Sequence, residues 1–549
     1  MPIQDPTFIP NQTDPNAGSV DPIQGGQAAE TARRAPGQRL LTAKEREQRQ
    51  LALGATVPSK QEAMCDCSKV IHFSVFFDGT GNNRDVELAK TDVKEQALSN
   101  IYKLWATHKE GGNIIRPYIP GVGTPYPAIG DSGGTLGMAI GSGAEKRIKK
   151  AIELLDEEIA KVPAEQKIRL INITVFGFSR GAAQARAFIR DLAALCQADG
   201  EAYLYKGKPL RIAFAGLFDT VCSAYGNPLT AALSVSGGHN GWAEGMQIPA
   251  MVEQTVHMNS AHELRRRFPL DSTRIDANYP DNTVEIWYPG VHSDVGGGYS
   301  PQYQGKENSI SRFALNHMFD VAFAAGVLFE KIDNLPKSVR DEFNKDDEKL
   351  RAAFNAYVDA VPVKSGAMEV VQASHMGLFH RWLKTRVLSR AELPSTLRLQ
   401  QARTTAETSV ADLKAKRRAL MHKYGVAGRD EERMPAQHQD EYEENNKRIK
   451  KSKDAADEAD DALSNLTKED HKYLEDIADI KNRAKAGKRL SLRERTLLEA
   501  WDNDSPLAEA VAEFFDGFAH DSVAHFQYDS SRLSDWRTIY FGETKYMPS

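Results

Sequence analysis

Three residues that together can cleave an ester stand in a fixed order along this chain: Ser179, then Asp219, then His292. A serine hydroxyl is a poor nucleophile at neutral pH. A neutral imidazole must take its proton, and a carboxylate must hold that imidazole in the right tautomer. Ser179 lies in Gly177-Phe178-Ser179-Arg180-Gly181, a G-x-S-x-G pattern that puts the serine on a sharp turn between a strand and a helix. The residues before it, Ile168 to Phe176, are β-branched and apolar, as in a buried parallel strand. Those after it, Ala182 to Phe188, are Ala-rich helix formers. A helix N-terminus at the serine favours developing negative charge. The bare pattern is common; its flanks give it weight.

Asp219 closes a second apolar run, Leu210 to Phe218, and its plainer reading is an Asx turn or helix cap. His292 follows a third, Thr283 to Pro289, inside the glycine-rich loop Gly290 to Tyr299. A lone histidine is usually a satisfied polar residue, but nucleophile, acid, histidine is the α/β-hydrolase order. Asp294 is a second candidate acid, although its spacing from His292 makes contact with the ring awkward, and His520 is a rival base. The first apolar run, Val70 to Phe77, ends in Asp78-Gly79-Thr80-Gly81-Asn82-Asn83. With the N–H of Arg180, the loop at Gly79 and Thr80 reads as an oxyanion hole, or else as a turn stitched by Asp78 and the asparagines. It is neither a P-loop nor a Rossmann fingerprint.

To position these groups, the chain needs strands alternating with helices, here Asp92–His108 and Ala144–Lys161. The predicted fold is α/β-hydrolase-like: a mostly parallel central sheet flanked by helices, with a large helical insertion. Residues 1–59 read as a disordered tail with a short helix at Thr42–Leu53, and residues 60–331 as the catalytic domain. Residues 332–504 form a charged helical insertion, notably Thr404–Lys423 and Asp440–Ala462, a candidate membrane-contact or lid module. Residues 505–549 return to the catalytic domain. Tyr225–Met258, with Leu229, Leu233, Trp242, Met246, Ile248 and Met251, reads as a lid or acyl groove, or as a packed excursion. In the insertion, Met376, Phe379, Leu383 and Val387 share a helical face with Trp382 beside it. That face suits a membrane interface or packing within its own domain.

A net charge of −5 gives no reason to expect a nucleic-acid surface. Four cysteines, Cys65, Cys67, Cys196 and Cys222, are too few and scattered for a disulfide framework and lack zinc or redox spacing. Free thiols are the favoured reading, and no metal or cofactor is called for. With no leader pattern and no bilayer-spanning apolar run, the chain is expected to be made in the cytoplasm without a signal peptide.

Phe76 to Asn83, Gly177 to Ala182, Phe218-Asp219-Thr220-Val221 and His292 to Gly297 together resemble the type VI secretion phospholipase effectors with the G-F-S-R-G elbow. The resemblance covers roughly Val70 to Tyr299 plus the His520 region. It implies a phospholipase A-type serine esterase acting on membrane glycerophospholipids, secreted into the periplasm of rival bacteria. It also implies a VgrG-type spike partner, a cognate immunity protein and contact with a phospholipid surface. Motif by motif, Ser179 is the nucleophile, Asp219 the acid and His292 the base. The alternatives are an esterase for soluble acyl esters and an inactive hydrolase-fold adaptor.

Overall fold

A computed structural model describes residues 35–55, 68–134, 143–222, 239, 241–275, 278–424, 434–523, 536–541 and 544–546. Its centre is a nine-stranded sheet built mostly of parallel pairs. Strands β1 (Ser68–Phe77), β2 (Ile114–Ile115), β3 (Tyr118–Ile119), β4 (Lys167–Phe178), β5 (Cys196–Asp199), β6 (Ala202–Tyr205), β7 (Lys208–Phe218), β8 (Thr255–Ser260) and β10 (Thr283–Tyr288) form it; β9 (Leu270–Ser272) lies elsewhere. The main path runs β10-β8-β7-β4-β1-β2, with β3 also beside β1. All of those pairs are parallel, whereas β5 and β6 add an antiparallel excursion to β7.

The registers bring the C-terminal ends level. Phe77 pairs with Gly177, Phe178 with Phe218, and Phe218 with Met258. The residues that follow β1, β4, β7 and β10 therefore share one edge of the sheet, where open α/β sheets bind ligands.

Alternation on the strands divides the core. Phe73, Val75 and Phe77 face the helices Ala144–Ala160 and Arg180–Ala194 through Ile148, Leu155 and Phe188. On the opposite face, Phe76, Phe176 and Phe214 join the helix Ser311–Ala324 and continue into Phe354, Val371, Leu383, Tyr473, Leu497 and Phe514. The charged segment expected as an insertion thus shares one apolar core with the sheet. Its outer part is a hairpin of two long helices, Pro394–Lys423 and Ala436–Lys485.

Within the segment read as a tail, the short helix expected at Thr42–Leu53 is present. The helix Ala43–Gly54 begins with a capping box between Thr42 and Glu45, and Ala52 packs against Val70 and Leu170. Arg39 reaches the carbonyls of Ala250 and Val252. Near the end of the chain, β11 (Ile539–Phe541) pairs in parallel with β9 and antiparallel with β12 (Thr544–Tyr546). The helix expected at Asp92–His108 begins only at Asn100, capped by Ser99. Leu229, Leu233, Cys65 and Cys67 lie outside the described residues. Met246, Ile248 and Met251 are buried, so the described end of the expected lid is packed surface.

Candidate active site

β4 runs into Ser179, whose backbone sits at φ 57° and ψ −127°. A residue bearing a side chain reaches that region at a cost of roughly 1–3 kcal/mol, so the surroundings must hold it. They do: Ser179 N–H donates to Phe218 O, and Val221 N–H donates back to Ser179 O. Two glycines make the turn possible. A Cβ on Gly177 would lie 2.5 Å from Gly181 O, and one on Gly181 would lie 2.3 Å from Phe77 O.

Asp219, at φ 42°, receives Nδ1 of His292 at 2.6 Å. An ionised carboxylate only accepts, so Nδ1 carries the proton and Nε2 presents its lone pair. That Nε2 is buried and has no hydrogen-bond partner among the described residues, Ser179 Oγ included. The ring lies against Phe178, the residue before the serine, with centroids 4.6 Å apart, and Phe268 meets it edge-on at 5.0 Å. Catalytic hydrogen bonds are often unmade before substrate arrives. Ser179 is only 4% exposed, so access to its hydroxyl is narrow.

The aspartate is held from three directions. Ser260 donates to it through N–H at 2.8 Å and Oγ at 2.9 Å, and Arg537 makes a two-pronged ion pair at 2.5 and 2.7 Å. Although burial opposes ionisation, Arg537 and His292 together hold the Asp219 carboxyl far below the usual carboxylate range. Burial pushes His292 down from its ordinary value while Asp219 pulls it up, the net being downward. A neutral imidazole at neutral pH follows, as a general base requires. Its own backbone N–H donates to Glu263, which is clamped by Arg265. Arg537 has no signal in the sequence: no motif surrounds it, and it lies 318 positions from Asp219.

The loop after β1 is pinned above the elbow by Arg180 Nε, which donates to Thr80 Oγ1 at 2.6 Å. Gly79 is corrected as an oxyanion donor, because its N–H is taken by Asp78 Oδ1 at 2.7 Å. Asp78 also accepts from Tyr118 at 2.5 Å and Ser99 at 2.8 Å; burial nonetheless pushes its carboxyl up to about 6. No backbone carbonyl among the described residues takes the Thr80 N–H, and the first-turn N–H groups of a helix lie outside its own ladder.

The rival pair is real, but it is its own. His520 Nδ1 meets Asp294 Oδ1 at 2.6 Å, and Asp294 also accepts the N–H groups of Val291 and His520. Asp294 thus does not serve His292; it ties the His292 loop to the C-terminal segment.

Of the two readings of the Met376 stripe, the structure shows packing within the protein and not a membrane-facing surface. Met376, Phe379, Trp382 and Leu383 are all core residues of the helix Met368–Ser389. Arg386, on the same helix, is buried against Glu469, Asp470 and Asp521. No described helix is long and apolar enough to cross a membrane.

The fold and the site define a mixed α/β protein with its polar constellation at the C-terminal edge of a mostly parallel sheet. Residues 72–201 and 193–321 match the family model of the type VI secretion phospholipase effector, Tle1-like, catalytic domain. The match contains Ser179, Asp219, His292 and Asp294, and it supports a lipid-hydrolysing effector of that secretion system. His520 and Arg537 lie beyond it. Among solved structures, the chain is similar to a crystal structure of an uncharacterized protein from Pseudomonas aeruginosa, with a TM-score of 0.64 and 22% identity over 92% of this chain and 83% of that one. At that identity the likeness is one of fold. A structure of the Tle1 effector bound to the VgrG spike from the Type 6 secretion system matches with a TM-score of 0.38 and 20% identity, over 57% of this chain and 84% of that chain. No curated protein matches the sequence significantly.

Proposed function

We propose that the chain is a serine esterase of phospholipase A type, with an α/β-hydrolase-like catalytic unit, which attacks acyl esters of glycerophospholipids. The observation that carries this is the contact of His292 with Asp219 beside a strained Ser179, all within the span matched by a phospholipase catalytic domain. Ser179 Oγ would attack the ester carbonyl while His292 Nε2 takes its proton. The same imidazolium, stabilised by Asp219, would then protonate the departing lysophospholipid alkoxide. Water would release the fatty acid from the acyl-enzyme by the same proton path. Arg180 N–H and Thr80 N–H are the proposed donors to the oxyanion. Delivery by a VgrG-type spike, a cognate immunity protein and action in the periplasm of target bacteria belong to this proposal on the strength of the sequence resemblance.

Incubating wild type and Ser179→Ala with vesicles of one defined phospholipid tests the reading. Mass spectrometry should find fatty acid and lysophospholipid with the wild type, and a loss of several orders of magnitude in the variant. Undiminished hydrolysis by a folded Ser179→Ala would refute it.

A second reading, an esterase of soluble acyl esters, is favoured by the burial of Met376, Phe379, Trp382 and Leu383, one of the surfaces that could have met lipid. Hydrolysis of short-chain esters by a protein that never co-floats with liposomes would select it.

A further inference from the structure

A thiol, an imidazole and a carboxylate converge just past the strand that leads into Asp219. Cys222 follows β7, Asp271 is on β9, and His239 comes from a third stretch of chain. Their candidate ligand atoms all lie within 4.8 Å of one another. We infer that Cys222, His239 and Asp271 form a transition-metal site, best suited to Zn²⁺.

The donor set is the first reason. Thiolate, imidazole and carboxylate are the three zinc ligands, and the thiolate disfavours Mg²⁺ and Ca²⁺. Geometry is the second. In a tetrahedral zinc site such ligand atoms stand about 3.3–3.6 Å apart, so the cluster needs small side-chain adjustments and no backbone rebuilding. His239 Nε2 already touches Asp271 Oδ1, and a metal would replace the proton the two share.

Support from outside the ligands is the third reason. Asp271 Oδ2 accepts the Cys222 N–H at 2.8 Å, and Asp271 N–H donates to Thr220 O at 2.9 Å. Arg186 grips the carbonyls of Asp271 and Ser272, and the His239 ring meets Tyr540 edge-on at 4.7 Å. Such contacts orient metal ligands before the metal arrives.

A cysteine nucleophile is the rival use of these groups, but it needs an accessible thiolate, and Cys222 is 2% exposed. Three protein ligands leave a fourth position for water. The ion would fasten the exit of β7 to β9, three residues from the carboxylate that holds His292.

Titrating the full-length, chelator-stripped chain with Co²⁺ tests this. A near-ultraviolet thiolate-to-cobalt band should appear, saturate at one ion per chain, and vanish when Zn²⁺ is added. Cys222→Ser should lose the band, whereas Cys196→Ser and the double variant Cys65→Ser, Cys67→Ser should keep it. Should Cys222→Ser fail to fold, His239→Ala must lose or weaken the band in its place. No band in the wild type, or one unchanged in Cys222→Ser, overturns the site.

Discussion

Two histidine–aspartate pairs sit side by side in this molecule, and they share their geometry almost fully. His292–Asp219 and His520–Asp294 both close at 2.6 Å, both are buried, and both leave Nε2 without a partner among the described residues. Their surroundings differ. Asp219 opens the stretch after β7, its neighbours are bonded to Ser179, and Arg537 neutralises it. Asp294 instead gathers two backbone N–H groups, and His520 lies under Tyr299 at 4.2 Å. A buried carboxylate–imidazole bond is therefore as much a way to tie a loop down as a way to make a base. What separates the two is the strained Ser179 at the end of the adjoining strand.

The largest effect should come from separating them directly. His292→Ala should cut hydrolysis by about 10³-fold or more, as removal of a triad base does. His520→Ala should chiefly lower the melting temperature and leave the active fraction within roughly tenfold of wild type, through its hold on the His292 loop. The reverse ranking would hand the base role to His520. Next comes the arginine that forms a two-pronged ion pair with Asp219. Arg537→Met leaves a buried carboxylate short of its partner and should destabilise the fold by about 3–5 kcal/mol, measured by denaturant unfolding. In the same variant, Asp219 is no longer neutralised and supports the imidazolium more strongly. The acid limb of the pH–rate profile should move upward; no movement would show that Arg537 does not act on His292 through Asp219. In the wild type that limb should lie below 6.5, because burial holds His292 below its ordinary value.

The smallest effect is a background common to both pairs. Burial lowers His72 to about 4 and His108, His375 and His380 to about 3. As pH falls, the unfolded chain takes up these protons first. Their contribution to stability is complete above about pH 6.5 and is lost progressively toward pH 3. His72 and His108 lie on the sheet side, His375 and His380 in the helical region. Because one apolar core joins those regions, acid unfolding followed by circular dichroism should be a single transition; two resolved steps would separate them.

What could be read from sequence followed from local pattern. The run Val70–Phe77 announces a strand through its β-branched and aromatic residues, the elbow through its flanks, and the helix Ala43–Gly54 through Thr42 and Glu45. What could not be read depended on partners far along the chain. The stripe at Met376 has a helical period, but a period does not say whether lipid or protein covers it; Phe515 and Tyr473 do. Arg386, on the same helix, is the hub of three carboxylates far along the chain, Glu469, Asp470 and Asp521. The helix Ala436–Lys485 runs 50 residues where Asp440–Ala462 was expected, and its later part packs Tyr473, Ile477 and Ile480, at helical spacing, into the core. Cys222, His239 and Asp271 have no motif spacing, and only the fold assembles them.

The clamp of Arg537 on Asp219 has a consequence for the order in which the protein is made. A ribosome synthesises the aspartate long before the guanidinium that neutralises it, with 318 positions between them. Until that arginine emerges and β11 docks on β9, the nascent chain carries the Ser179 turn beside an aspartate that lacks its counter-ion. Maturation of the site is in this sense a late event of translation, timed by the chain itself.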